Sequence, residues 1–197
     1  MIDPSHVPSP DQPSVFEIAY PERLSRWLPF VKWLLVIPHV LALFLVGIGG
    51  VCVALVGYLS VLVLGRWPRW AFDYLVGAFR WTYRVLAYLH LMVDRYPPFS
   101  LADDPDYPVR FVVAYPERTG RWRPFLQWLL VLPYLYAVSL LSMLTSLLAF
   151  MAFFCILFTR RIPRDLFAAM VPGLRCYLGV TMYYCSLSNR YPRFDIS

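Results

Sequence analysis

Charge is scarce in this chain of 197 residues. Asp, Glu, Lys and Arg make up 15% of it, against about 25% in a soluble globular domain. Disordered chain combines high charge with low hydrophobicity, so disorder is excluded, and an ordinary soluble enzyme is disfavoured. Lysine is nearly missing: Lys32 stands alone, and every other basic residue is arginine. The three histidines, His6, His39 and His90, are scattered. The four cysteines, Cys52, Cys155, Cys176 and Cys185, show no metal-ligand spacing and read as small buried hydrophobes. No disulfide scaffold, metal or cofactor follows from them. The H-E-x-x-H, G-x-S-x-G, Walker and dinucleotide fingerprints are all missing. Residues 1–14 lack a basic cluster followed by a short apolar core, so they read as a disordered tail and not a cleaved signal.

Hydrophobic residues are plentiful, at 59%, with 18% aromatics. No Asp, Glu, Lys or Arg occurs between Lys32 and Arg66, nor between Arg123 and Arg160. A membrane-spanning helix needs about 20 mainly apolar residues, and both runs exceed that. Pro38 and Pro133 interrupt them at matching places. The expected arrangement is a short amphipathic start over Ser25–Ile37, a bend near Pro38 and a main span over His39–Leu64. The second run would bend near Pro133 and span Tyr134–Phe158. A single tilted helix kinked at each proline fits the same residues.

The chain is a tandem repeat. Shifted by 95 positions, it aligns with itself without a gap, with 29 identities in 81 positions. Y-P-E-R at Tyr20–Arg23 returns at Tyr115–Arg118, and R-W-x-P-F at Arg26–Phe30 returns at Arg121–Phe125. R-x-P-R at Arg66–Arg69 returns at Arg161–Arg164, and R-Y-P at Arg95–Pro97 returns at Arg190–Pro192. Such halves are expected to fold alike and to pack about a pseudo-twofold axis. The domain reading is a first membrane repeat over 15–100, an acidic linker over 101–108 and a second membrane repeat over 109–197.

Each half holds a further apolar segment, roughly Trp70–Val93 and Leu166–Leu187. The first carries Asp73, Arg80 and Arg84 on one helix face that continues to Tyr88. It either crosses the membrane with that face against the bundle, or lies flat at the interface. The nearly apolar second copy favours crossing for both. The expected fold is therefore an all-α membrane protein with a duplicated transmembrane hairpin and four spans in total. Short β-prone segments, Val15–Pro21 and Val109–Pro116, precede the repeats. In the four-span arrangement both halves enter from the same side and these segments can pair there. With two spans the second half is upside down, and a membrane separates them. Ten basic residues on the terminal side against five at the hairpin turns favour cytoplasmic termini.

The formal net charge of +6 does not indicate nucleic acid, because the arginines sit at the ends of apolar runs. Arg80 and Arg175 are repeat equivalents in apolar surroundings, so with Arg84, Tyr88 and Tyr183 they are the candidate contacts for a lipid head group, an anion or a partner. Pairing of Arg80 with Asp73 is the plainer alternative. Arg66, Arg69, Arg161 and Arg164 mark the hairpin turns. Asp103, Asp104 and Asp106 read as a solvated linker. The seven tryptophans cluster toward segment ends, as interface anchors do. Gly47, Gly49 and Gly50 suit close helix contact.

The pattern Y-P-E-R-x-x-R-W-x-P-F-x-x-W-L-L-V-x-P at Tyr20–Pro38, G-R-W-P-R at Gly65–Arg69 and D-R-Y-P-P-F-S at Asp94–Ser100 resembles the DUF4389 family. The second unit departs from it at Arg160, Tyr134 and Arg193. The resemblance implies a bacterial integral membrane protein of undefined activity and carries no catalytic residues. The leading expectation is a non-catalytic subunit or scaffold in the inner membrane, in contact with lipids and with other subunits or its own copies. A small transporter or channel using Arg80 and Arg175 for an anion is one alternative, and a lipid-modifying enzyme is another.

Overall fold

The structure, a computed structural model, describes residues 14–116, 119–185 and 187. The tail over 1–13, Glu117, Arg118 and the closing R-Y-P-R-F segment lie outside the described residues. So do the side chains of 123–126 and 128–134.

Each half has a strand, a long helix, a tight turn and a shorter return helix. The first half comprises β1 (Ser14–Ile18), α1 (Leu28–Leu64) and α2 (Arg69–Leu89). The second comprises β2 (Val109–Val113), α3 (Arg123–Thr159) and α4 (Arg164–Tyr184). Both long helices are continuous, with 37 residues each, and α1 runs straight on past Pro38. The expected division at Pro38 and Pro133 gives way to the single-helix arrangement.

The turns after α1 and α3 are built alike. Gly65 ends α1 in the left-handed region at φ 70°, and Arg160 ends α3 there at φ 59°. Each returns its N–H four residues back, to Val61 O and Ile156 O at 2.9 Å. Pro68 and Pro163 then cap α2 and α4 with extended ψ. Gly57 faces the ring of Trp67 so closely that a Cβ would overlap it. This glycine lets the hairpin close.

α1 packs against α2 and α3 against α4. The two strands, expected before the repeats, form an antiparallel pair in which Phe16 lies opposite Phe111 and Glu17 opposite Arg110. Phe16 and Phe111 are themselves repeat equivalents (111 − 16 = 95), so the pseudo-twofold axis passes between them.

The halves are nonetheless inverted, which corrects the expectation that both enter from the same side. The start of α1 meets the end of α3: Leu24 N–H donates to Arg160 O at 2.9 Å, Arg26 Nη2 to Phe158 O at 3.2 Å, and Phe30 packs on Phe153. The chain entering α3 meets the end of α1, where Thr119 N–H donates to Gly65 O at 2.9 Å. The two long helices are therefore antiparallel. Strand pairing and inversion were expected to exclude each other, but they coexist because the axis runs across the helices.

Among the described residues three helices are long and apolar enough to cross a membrane: Leu28–Leu64, Leu135–Thr159 and Arg164–Tyr184. This is consistent with a multi-pass membrane protein, with three candidate spans instead of the expected four. α2 falls short because Asp73, Arg80 and Arg84 interrupt it. The cysteines also differ from expectation. Cys52 is exposed on the outer face of α1, and the other three are half-buried. Trp27, Trp33, Trp70 and Trp122 are exposed near helix ends, whereas Trp67 and Trp81 are buried.

Candidate functional site

Polar side chains gather in three places. The first is a pair of clasps at opposite ends of the molecule. Tyr20 Oη donates to Ile162 O at 2.5 Å, and its repeat equivalent Tyr115 donates to Trp67 O. Tyr20 packs edge-on against Phe167, as Tyr115 does against Phe72. Arg164 lies 5.5 Å over the Tyr20 ring and Arg69 5.1 Å over the Tyr115 ring. Each half thus grips the hairpin turn of the other. Two of the four turn arginines take part, while Arg66 and Arg161 are exposed.

The second place is the outer flank of α2, covered by the connection between the halves. Arg80 Nε donates to Phe111 O at 3.1 Å and Nη1 to Leu101 O at 2.8 Å. Its Nε also lies 3.4 Å from Asp103 Oδ1. Asp73, expected as its partner, is exposed on the same helix and adds only a longer-range attraction, while Asp103 supplies the ion pair. Arg84 is fully buried, with Nη2 3.8 Å from the same carboxylate and its guanidinium over the Tyr107 ring. Its nitrogens make no hydrogen bond among the described residues. Tyr107 Oη donates to Arg95 O at 2.9 Å, and burial raises its pKa well above the ordinary tyrosine range, so it stays a donor at neutral pH. Asp103 is accordingly the shared counter-charge of two arginines and not a free linker residue.

The third place is the start of α1. Lys32 Nζ donates to Val93 O at 2.6 Å, pairs with Asp94 Oδ1 at 2.8 Å and sits 4.7 Å over the Tyr88 ring. Asp94 also accepts from Ser25 N–H at 2.6 Å. Two turns further on, His39 Nδ1 accepts from Trp81 Nε1 at 3.1 Å and the imidazole stacks on Phe99. Because an indole only donates, the His39 proton sits on Nε2.

The expected site residues are therefore dispersed. Arg80 and Arg84 share Asp103, while Tyr88 belongs to the Lys32 cluster. Arg175 is exposed on α4 and forms no hydrogen bond or ion pair among the described residues. Tyr183 is buried with Val138 and Val180. The repeat pair Arg80 and Arg175 occupies two unlike environments, because two of the three acceptors of Arg80, Leu101 O and Asp103, come from the single connection between the halves. Lys32, His39 and Asp94 were missed as contacts. The repeat offers only a hint for the first: the equivalent position keeps a polar residue, Gln127, which the structure also buries.

A cavity of about 250 Å³ lies between α2, α3 and α4, lined by Leu86, His90, Ser142, Thr145, Ser146, Gly173, Leu174 and Tyr177. His90 Nδ1 bonds Leu86 O at 2.8 Å, and the hydroxyls of Thr145 and Ser146 turn back to Leu141 O and Ser142 O. Burial lowers the His90 pKa, leaving the ring neutral at pH 7. Among the described residues no three His, Cys, Asp or Glu side chains gather as a metal site would require.

Residues 26–100 match the profile of a domain of unknown function, DUF4389. The match covers most of the first repeat, the half that holds the Lys32 and Arg80 clusters. No curated protein and no solved structure matches the chain significantly.

Proposed function

We propose that this chain is a non-catalytic scaffold of the bacterial cytoplasmic membrane, with cytoplasmic termini, that supports a larger membrane assembly and contacts lipid head groups. One observation carries the reading. Its charged clusters are spent on holding the chain together, while its largest exposed surface is apolar. Phe44, Leu45, Ile48 and Leu55 on α1, and Leu140, Met143, Leu147 and Phe150 on α3, are all exposed. A monomeric soluble protein does not leave an apolar face of that extent in water. What remains for other molecules is the lipid-facing surface and exposed arginines such as Arg23, Arg66, Arg121, Arg161 and Arg175.

Purification in mild detergent after cross-linking in cells tests this. The scaffold reading expects a stoichiometric protein partner or a homo-oligomer. A lone monomer that turns over a lipid substrate or conducts solute in liposomes contradicts it. The transport alternative needs Arg80 and Arg175 to act on one anion. Arg80 already holds two carbonyls and a carboxylate, and Arg175 stands apart from it, so the geometry favours the scaffold.

A further inference from the structure

The molecule is layered along its pseudo-twofold axis. An antiparallel strand pair has its dyad perpendicular to the sheet, and Phe16 and Phe111 project from the same face of it onto Tyr83, with ring centroids 5.6 and 5.9 Å away. α2 lies directly beneath. One flank of α2 carries the connection, through Arg80 to Phe111 O and the close approach of Gly77 to Leu101. The other flank carries α1, through Trp81 to His39 and Tyr74 Oη to Val46 O at 2.9 Å. A rotation about the axis keeps every element at its own height, so α3 shares the layer of α1. The order along the axis is the sheet with the later, acidic part of the connection, then α2 and α4, then α1 and α3. The start of the connection crosses the layers, with Asp94 on Lys32, Tyr96 Oη donating to Leu35 O and Phe99 stacked on His39.

The two outer surfaces differ in chemistry. Among the described residues the outer face of α1, and of α3 over 135–158, is apolar, and the exposed hydroxyls of Ser139 and Thr159 return to carbonyls of their own helix. The sheet side exposes Arg95, Asp103 and Asp106. If α1 stood upright in a bilayer, this irregular, charged connection would face lipid at mid-depth, because Asp103 is tied to the middle of α2. Lipid-exposed loops and open strand edges do not occur in hydrocarbon. Length argues the same way. At 1.5 Å per residue the charge-free stretch Trp33–Leu64 is about 48 Å long. Fitting it upright into about 30 Å of hydrocarbon requires a tilt of roughly 50°, beyond the observed range of about 0–40°. Lying flat, a helix about 10–12 Å thick fits within one leaflet.

We infer that the slab lies in the cytoplasmic leaflet, with the outer face of α1 and α3 against lipid acyl chains, α2 and α4 at head-group level, and the sheet and acidic connection in water. The inference deepens the scaffold reading and rests on it, since it names lipid as the occupant of the apolar face. The helices that are long enough to cross then lie in the membrane plane, within the acyl region of one leaflet.

The test uses the full-length chain carrying Cys52→Ser, Cys155→Ser, Cys176→Ser and Cys185→Ser. Single cysteines are placed at Arg66, Arg161, Asp106, Leu45 and Leu140. A membrane-impermeant maleimide is applied to spheroplasts and to inverted vesicles. The expected result is labelling of Arg66→Cys, Arg161→Cys and Asp106→Cys only in inverted vesicles, with Leu45→Cys and Leu140→Cys protected in both. Labelling of Arg66→Cys and Arg161→Cys from opposite sides overturns the inference in favour of upright, inverted halves. Labelling of both from the side opposite Asp106→Cys overturns it in favour of parallel hairpins. A fluorophore at Leu45→Cys identifies the occupant. Several-fold quenching by lipids brominated in their acyl chains supports lipid, and a protected but unquenched probe assigns the face to a second copy. Solute flux by a lone chain defeats the scaffold reading while leaving the orientation standing.

Discussion

Phe16 lies directly opposite Phe111 in the sheet, and the two are the same residue of the duplicated unit. Two equivalent strands can pair antiparallel about their common residue only if a twofold operation relates the halves. The reciprocal clasps obey the same operation. The tyrosine clasps and the bonds from Leu24 to Arg160 and from Thr119 to Gly65 are each used twice, as contacts are in an isologous dimer, with the 95-residue offset replacing a second chain.

Loss of either clasp hydroxyl removes one hydrogen bond to a hairpin carbonyl. Tyr20→Phe and Tyr115→Phe should each cost about 1 kcal/mol. The clasps sit at opposite ends of the molecule, so the double variant should cost the sum. Thermal unfolding of the purified protein in detergent reads both quantities.

Arg160 occupies a left-handed position that the first half fills with Gly65. A non-glycine residue there costs roughly 1–2 kcal/mol. Arg160→Gly should therefore raise stability by about 1 kcal/mol, visible as a higher midpoint in the same melt. The reverse change, Gly65→Arg, should lower it.

Asp103 and Arg84 should respond asymmetrically. Asp103→Asn takes the shared carboxylate from Arg84, which is fully buried, and from Arg80, and because that carboxylate is half-exposed it should destabilise by about 1–2 kcal/mol. Arg84→Met removes a buried charge that makes no hydrogen bond among the described residues and frees a half-exposed carboxylate. It should be close to neutral. The second half carries Gly179 at that position, and so has no charge there at all. Denaturant titration of both variants separates the two responses.

The Lys32 and Asp94 pair should behave as a unit. Asp94→Asn leaves the buried ammonium with only Val93 O and should cost about 2–3 kcal/mol. Adding Lys32→Gln reproduces the residues found at the equivalent positions, Gln127 and Asn189. The double variant should recover most of the loss. A double-mutant cycle on unfolding free energy gives the coupling.

Helix content, the two turns and the strand pair were legible in the sequence, because each is written in local pattern. Apolar runs set α1 and α3, R-x-P-R sets the turns, and alternation sets the strands. The repeat was also legible, and with it the pseudo-twofold axis. The direction of that axis was not. A 95-residue identity pattern reads the same for parallel and inverted halves, and only long-range contacts such as Leu24 to Arg160 distinguish them. The partner of Arg80 was missed for a similar reason. Helix periodicity offers Asp73, whereas the partner used, Asp103, arrives from the connection. Lys32 was hidden by its position at the edge of an apolar run, where it marked a helix border and gave no sign of burial.

The inverted arrangement of the halves is tested most directly by a spin-label distance between Arg66→Cys and Arg161→Cys in the cysteine-free chain, measured by pulsed dipolar spectroscopy in nanodiscs. The turn after α3 abuts the start of α1, and the turn after α1 closes its far end. The separation should therefore approach the length of α1, about 50–55 Å. A distance near 20–25 Å, with both turns at one end of a bundle of parallel hairpins, contradicts the account.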